Sequence, residues 1–436
     1  MAPSASAARS PQAAWPWLSS DIGPYAGGEV TKVKQCNITD YGAVPDGRTL
    51  ATACLQQAID DVAAAGGGRV TVGGGRYLIG TVFLKSGVEL YLEVDGVLLA
   101  SPDEADYPLL ESTFWKTEYA PRRNRRCLIY AEQAEDIAIT GRGQIDCQGL
   151  LFCKPADNPR LWRYQRKSDT AQPGRMIFMA GCKRLLFTDF TLKDAAAGWG
   201  FWILDCADVR FDRVTVDSDL DIPNSDGIHL NCSRDVTISN CRVSCGDDAL
   251  IVRAYTRVLS RPVPCERVTV TNCHLVSHCS AIRLGWADDY ICRDCVFSNL
   301  TITDSRWGIN MTLPHDPGKR YSDQGDDDTL IEHILFDNIV IDRHHAEPIR
   351  IEIDEGARVD AIRDISFANM RVVSATPPRL LGRPDKKLQD ITLSNVSMTI
   401  HPPAEGQVLP MVRNREAPFF GHIDNLVLDR VRIDLD

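Results

Sequence analysis

Two short stretches hold the carboxylates best placed for chemistry, "NSDGIHL" at 224–230 and "SCGDDAL" at 244–250. Together they set Asp226, Asp247 and Asp248 within 23 residues, with Asn224 beside the first. Grouped carboxylates repel when ionised, so at least one keeps its proton to a higher pH than an isolated aspartate. Such an acid can protonate a glycosidic oxygen while ionised neighbours hold and activate water. Each motif alone also reads as turn chemistry, because Asn, Asp and Gly are the commonest turn residues. Three carboxylates would also suit a hard cation such as calcium.

A repeat is what joins the two motifs. From about residue 137 the chain cycles through apolar-x-apolar, a small or polar residue that is often Asn, then apolar-x-apolar. Nine copies begin at Leu185, Val209, Val236, Val268, Cys295, Ile334, Ile365, Ile391 and Leu426, spaced 24 to 39 residues apart. A loosely spaced unit of this kind predicts a solenoid with variable loops. Helical periodicity is absent and the strands are short, which favours an all-β, right-handed, single-stranded parallel β-helix whose coils stack at about 4.8 Å. Asp226 and Asp247, 21 residues apart, then fall on neighbouring rungs. Adjacent Asp247 and Asp248 would point to opposite faces of a regular strand, and Gly246 permits the irregular backbone that turns both toward a cleft. Asn240, Asn272, Asn299, Asn338, Asn369 and Asn395 share one repeat position. They are expected to form an inward ladder that satisfies backbone groups at the coil corners. The next position, Cys241 through Val396, is expected to be an apolar stack. The helical pattern near 51–65, stopped by glycines, predicts a short N-terminal capping helix. Residues 31–436 are therefore expected to form one catalytic domain, preceded by a disordered or extended leader over 1–30.

Bulk composition narrows the class. Of 436 residues, 44% are hydrophobic and 25% charged, and the net charge of -11 argues against a general nucleic-acid binder. No apolar run reaches the roughly 18–20 residues of a membrane span. The Ala/Ser/Pro-rich start lacks a charged segment followed by an apolar one, so it does not read as a signal peptide. The 15 cysteines mostly sit within apolar strand patterns, where they act as small buried hydrophobes. Cys292 and Cys295 have no partner pair of matching spacing, so a zinc knuckle is not expected.

The chain resembles the polygalacturonase family of parallel β-helix glycosidases, glycoside hydrolase family 28. The likeness runs over roughly 38–436, from "DYGAVPDGRT" through "GRGQIDCQG" and "GWGFWILDCADVRF" to the two aspartate motifs. It implies inverting hydrolysis, with no cofactor or metal, of a glycosidic bond in a pectin-like or other plant or microbial polysaccharide or its oligosaccharides. By the same resemblance Asp247 is the general acid, Asp226 and Asp248 position and deprotonate the attacking water, and Asn224 orders the site. Two family motifs depart. The usual Gly-His-Gly reads "SHC", so His278 either tunes the acid's protonation or is a groove or turn histidine. The usual Arg-Ile-Lys, which grips a galacturonate carboxylate, reads Asn310-Met311-Thr312. A carboxylate needs a cation or several donors to offset its desolvation. Either the critical ring is neutral, or Arg283 or Arg350 takes over. Each of these arginines also reads as an outward strand residue paired with an acid.

Trp199 is placed at the cleft by the resemblance and could stack on a sugar, whereas Trp202 reads equally as packing. Trp286 and Trp307 are further groove candidates. The basic, aromatic stretches "KTEYAPRRNRRC" and "RLWRYQRK" read as long loops rimming the groove, either solvated or in contact with a polyanionic glycan, and "PHDPGKRYSDQGDDDTL" at 314–330 as a flexible rim loop, not a second site. Long inserts favour exo action. A carbohydrate is the expected partner, without nucleic acid or membrane. The resemblance places the protein outside the cell or in the periplasm, although the missing signal leaves the cytoplasm open. Two other classes remain at this point, a β-helix polysaccharide lyase or epimerase and a non-catalytic carbohydrate-binding β-helix.

Overall fold

The computed structural model describes residues 34–157, 162–168, 170–344, 346–402 and 419–436. The leader expected over 1–30 lies outside the described residues. The remainder is a right-handed parallel β-helix. All nine repeat starts are register partners in one unbroken column, from Leu185 beside Val209 to Ile391 beside Leu426. The inward apolar positions of each coil therefore lie on those of the next. Phe187 stacks on Phe211 with ring centroids 4.6 Å apart, and Phe297, Phe336 and Phe367 form a second pile at 4.9 and 5.0 Å.

The asparagine ladder exists but faces outward. Asn240, Asn272, Asn299, Asn338, Asn369 and Asn395 all adopt the left-handed conformation, with φ between 54° and 58°. Asn tolerates this region better than other residues with a Cβ. It lets one strand bend through a corner without ending, as in Ile291–Thr303 and Thr329–His344. That bend throws the side chain toward solvent. The amides then bond along the stack, Asn338 to Asn299 at 2.8 Å and Asn395 to Asn369 at 2.8 Å. The following residue turns inward, and Cys241, Cys273, Leu300, Ile339, Met370 and Val396 are all buried. None of the 15 cysteines forms a disulfide.

Helix α1, Thr52–Ala64, buries Leu55, Ala58, Ile59 and Val62, the stripe expected of a helix with one apolar face. It packs on strands Lys34–Asn37 and Gly68–Val72 at the N-terminal end of the solenoid. It thus caps an edge that would otherwise be open to pairing.

Eleven strands form the sheet that carries the cleft. Six of them matter for the site. They are β1 (Trp199–Leu204), β2 (Ile228–Asn231), β3 (Leu250–Arg253), β4 (Ser280–Leu284), β5 (Trp307–Leu313) and β6 (Ile349–Ile353). One register column crosses them all: Trp202, His229, Ile251, Arg283, Asn310 and Arg350.

Candidate active site

Parallel stacking carries the two aspartate motifs to one place. Asp226 immediately precedes β2, and Asp247 and Asp248 lie in the irregular link before β3. The Gly227 amide donates to the Asp248 carbonyl at 2.9 Å, so the two links run side by side. Asp226, Asp247 and Asp248 line one cleft of about 350 Å³ with Asn224, Trp199, Arg283, Asn310 and Arg350. Gly246 is required by close approach and not by its φ, since a Cβ there would lie 2.1 Å from the Ile222 carbonyl oxygen. The chain leaves the strand at Cys245, and both aspartates turn into the cleft.

The three carboxyl groups are held differently. Asp247 accepts from Asn224 Nδ2 at 2.9 Å and from the Asp248 amide at 3.0 Å. Burial first, and then the charge of Asp248, pushes the Asp247 carboxyl up to about 6. Asp226 is buried, and desolvation together with Asp247 and Asp248 raises its carboxyl well above the ordinary range. Asp248 accepts the Arg283 Nε at 2.5 Å and the Ser280 amide at 2.9 Å. That charge-assisted pair fixes the orientation of the Asp248 carboxyl.

Arg283 and Arg350 prove to be both paired and in the cleft. Arg350 is held by Glu352 and stands 5.8 Å over the Trp307 ring. Arg283 stands 4.6 Å over Trp286, and its Nη1 is buried without a hydrogen-bond partner. Between them in the column, Asn310 and Thr312 satisfy each other. The Asn310 Oδ1 accepts Thr312 Oγ1 at 2.6 Å and the Thr312 amide at 3.1 Å, and its Nδ2 donates to Ser280 Oγ at 3.1 Å.

Trp199 lines the cleft, sandwiched between Arg175 at 3.7 Å and His229 at 4.0 Å. Trp202 is buried packing, stacked on Phe178 at 4.4 Å.

His278 is not a cleft residue. Its Nδ1 lies 2.7 Å from the Leu220 carbonyl oxygen and 4.0 Å from Asp221, on the turn that precedes "NSDG". Neighbours in extended backbone point to opposite faces, and Cys279 is the member of "SHC" that lines the cleft. The Cys279 sulfur and one oxygen each of Asp247 and Asp248 lie within 4.8 Å of one another, the sole group among the described residues with metal-holding proximity. Arg283 already supplies the countercharge at Asp248, which disfavours a cation there.

Sequence reasoning missed four cleft residues, His229, Arg253, Arg122 and Asp323. His229 stood inside a quoted motif and shares the register column of Arg283. Arg253 is buried and paired with Asp289 at 2.7 Å and Asp323 at 2.8 Å. Through Asp323 the 314–330 loop is tied into the site, and further pairs from Arg320, Arg257 and Arg358 hold its other acids. That loop is therefore pinned to the body at Asp323, Asp326 and Asp328. Arg122 comes from a stretch read as a rim loop, and no periodic signal marks it.

A family model for glycosyl hydrolases family 28 matches residues 71–409. The chain belongs to glycosyl hydrolases family 28. A family 28 relative from Vitis vinifera, named "Probable polygalacturonase", is 26% identical over 229 residues, covering 51% of this chain and 45% of that protein. This chain thus spans under half the length of that relative. An exopolygalacturonase of Zea mays is 25% identical over 366 residues, covering 78% of this chain and 77% of its own. The crystal structure of a hyperthermoactive exopolygalacturonase from Thermotoga maritima matches the fold with a TM-score of 0.66 at 19% identity, over 92% of both chains. As a family 28 member this protein is a glycoside hydrolase. Among the described residues no helix is long and apolar enough to cross a membrane.

Proposed function

We propose that the protein is an inverting, exo-acting hydrolase of a pectin-type chain or its oligosaccharides, and that residues 31–436 act as one catalytic unit. The convergence of Asp226, Asp247 and Asp248 in one cleft carries this reading. Asp247, raised to about 6, is the general acid that protonates the departing glycosidic oxygen. Asp248, paired with Arg283, takes the proton of the attacking water, with Asp226 holding that water beside it. The glycosidic C–O bond breaks as the new bond to water forms from the opposite face. Asn224 orients Asp247, and Trp199, with its two ring faces against Arg175 and His229, forms part of the cleft wall. Arg283 and Arg350, one rung on either side of Asn310, replace the family's Arg-Ile-Lys as the grip on a uronate carboxylate. His278 has a supporting place on the 220–221 turn and no contact with substrate. An extracellular or periplasmic site of action fits a polymeric substrate.

Exo action is supported by the way two loops meet beside the cleft. Arg257 stands 4.2 Å over the Tyr119 ring and 3.4 Å from Asp326, joining the 116–127 and 314–330 loops. An exopolygalacturonase name among the relatives agrees. On polygalacturonate, a single small product is expected from the first minutes, with reducing ends rising well before viscosity falls. Chromatography of early products checks this, and a ladder of mixed oligomers would mean endo action. An ultraviolet-absorbing unsaturated product would instead indicate a lyase.

A further inference from the structure

Taking the active-site reading above as its basis, we propose that His229 is the positioning residue of Asp226. Its neutral imidazole donates Nδ1–H to Asp226 Oδ2 and so holds that carboxylate ready for water.

Several observations meet on this ring. His229 lies three residues after Asp226, on β2, and is 3% exposed. Its Nδ1 is 3.5 Å from Asp226 Oδ2 and has no hydrogen-bond partner elsewhere among the described residues. A buried ring nitrogen without a partner is costly. The separation is longer than an ordinary hydrogen bond, and contacts of this kind tighten when substrate binds. The ring cannot swing away, because it is stacked on Trp199 at 4.0 Å with an interplanar angle of 24°. Arg175 backs the far face of Trp199 at 3.7 Å.

The charges around the pair fix its protonation. His229 faces Arg253, Arg175 and Arg283, and burial together with these three cations drives the imidazole well below its usual range. It therefore stays neutral and cannot form an ion pair. Asp226 faces Asp247 and Asp248, which raise its carboxyl, and Arg175 and Arg122, which oppose them. The Cys245 thiol also lies near it. A fixed neutral donor on Oδ2 is the additional element that favours the charged carboxylate in this surrounding.

The test compares His229→Leu, His229→Asn and Asp226→Asn with the wild type, on polygalacturonate across pH. His229→Leu is expected to lower kcat about ten- to a hundredfold, with KM changed less than about twofold. The acidic limb of the kcat profile should move up by about one pH unit, because the carboxylate has lost its donor. His229→Asn places an amide N–H close to the position of Nδ1 and should restore most of the rate and the limb. A Leu variant with an unshifted limb, or an Asn variant no better than Leu, overturns the proposal. If Asp226→Asn hydrolyses normally, the active-site reading fails instead.

The pair can also be read without substrate. Losing the donor raises the folded-state pKa of Asp226 further. The stability associated with that carboxyl is then lost over a wider range as pH rises. Both proteins lose this stability in parallel from about pH 4 up to the raised wild-type pKa of Asp226, so the gap between the thermal midpoints of wild type and His229→Leu should widen only above that pKa. A gap that is constant across pH contradicts the proposal.

Discussion

Asp247→Asn should lower hydrolysis by about 10²- to 10⁴-fold while leaving oligosaccharide binding in place. The amide is nearly isosteric and can still accept from Asn224 Nδ2, now 2.9 Å from Asp247 Oδ2. It cannot give up a proton to a leaving oxygen. The same assignment sets a pH limb. Burial and the charge of Asp248 raise the Asp247 carboxyl to about 6, so the acid form is present below that pH and lost above it. Wild-type kcat should therefore fall as pH rises through about 6. Reducing-end assays across pH measure the limb, and calorimetric titration of the variant measures the binding. An active Asp247→Asn enzyme would remove Asp247 from the acid role.

Arg283→Met should inactivate the enzyme and destabilise it by about 3–5 kcal/mol. The Arg283 Nε sits 2.5 Å from Asp248 Oδ2, and both side chains are buried. Removing the cation leaves a buried carboxylate with no countercharge, which either destabilises the fold or takes up a proton. In the first case stability is lost, and in the second the base is lost. Adding Asp248→Asn to Arg283→Met removes the stranded charge, so the double variant should regain much of the stability and none of the activity. Chemical denaturation of the four proteins of this cycle gives the coupling directly. An Arg283→Met enzyme as stable and as active as wild type would contradict the role given to the Arg283–Asp248 pair.

Most of the scaffold was legible because its physics is periodic. Burial in every coil repeats the same apolar positions, so the nine starts from Leu185 to Leu426 could be aligned by pattern and prove to be register partners. The same alignment put Asp226 and Asp247 on neighbouring rungs, and the observed register, Ile228 beside Leu250, sets Asp226 level with Asp248. What periodicity could not supply was the direction of a side chain at a bend. The ladder asparagines were expected inside, but their left-handed backbone turns them out. His278 and Cys279 differ by one position, and one position is a change of face. Loops could be placed at the groove rim, but no pattern told which of their residues enter it. Arg122 and Asp323 reach the cleft through tertiary contacts that depend on where long inserts fold back. His229 was readable in principle, since it lies in the column of Arg283 and Arg350. The column becomes visible only once the exact rung lengths are known.

The replacement of Arg-Ile-Lys by Asn310-Met311-Thr312 has a structural answer as well. Asn310 and Thr312 are occupied with each other and with Ser280. Cationic side chains flank them on β4 and β6, one rung away on each side. The cleft therefore keeps positive charge beside an altered motif, in keeping with an anionic sugar held in a shifted pose.

The inverting acid–base device proposed for Asp226, Asp247 and Asp248 has a stereochemical signature. The most direct test is proton NMR of the product formed in the first moments of polygalacturonate hydrolysis, before mutarotation. The first-formed hemiacetal is expected to be the β-anomer, opposite to the α-linkage cleaved. An α-anomer appearing first would contradict it.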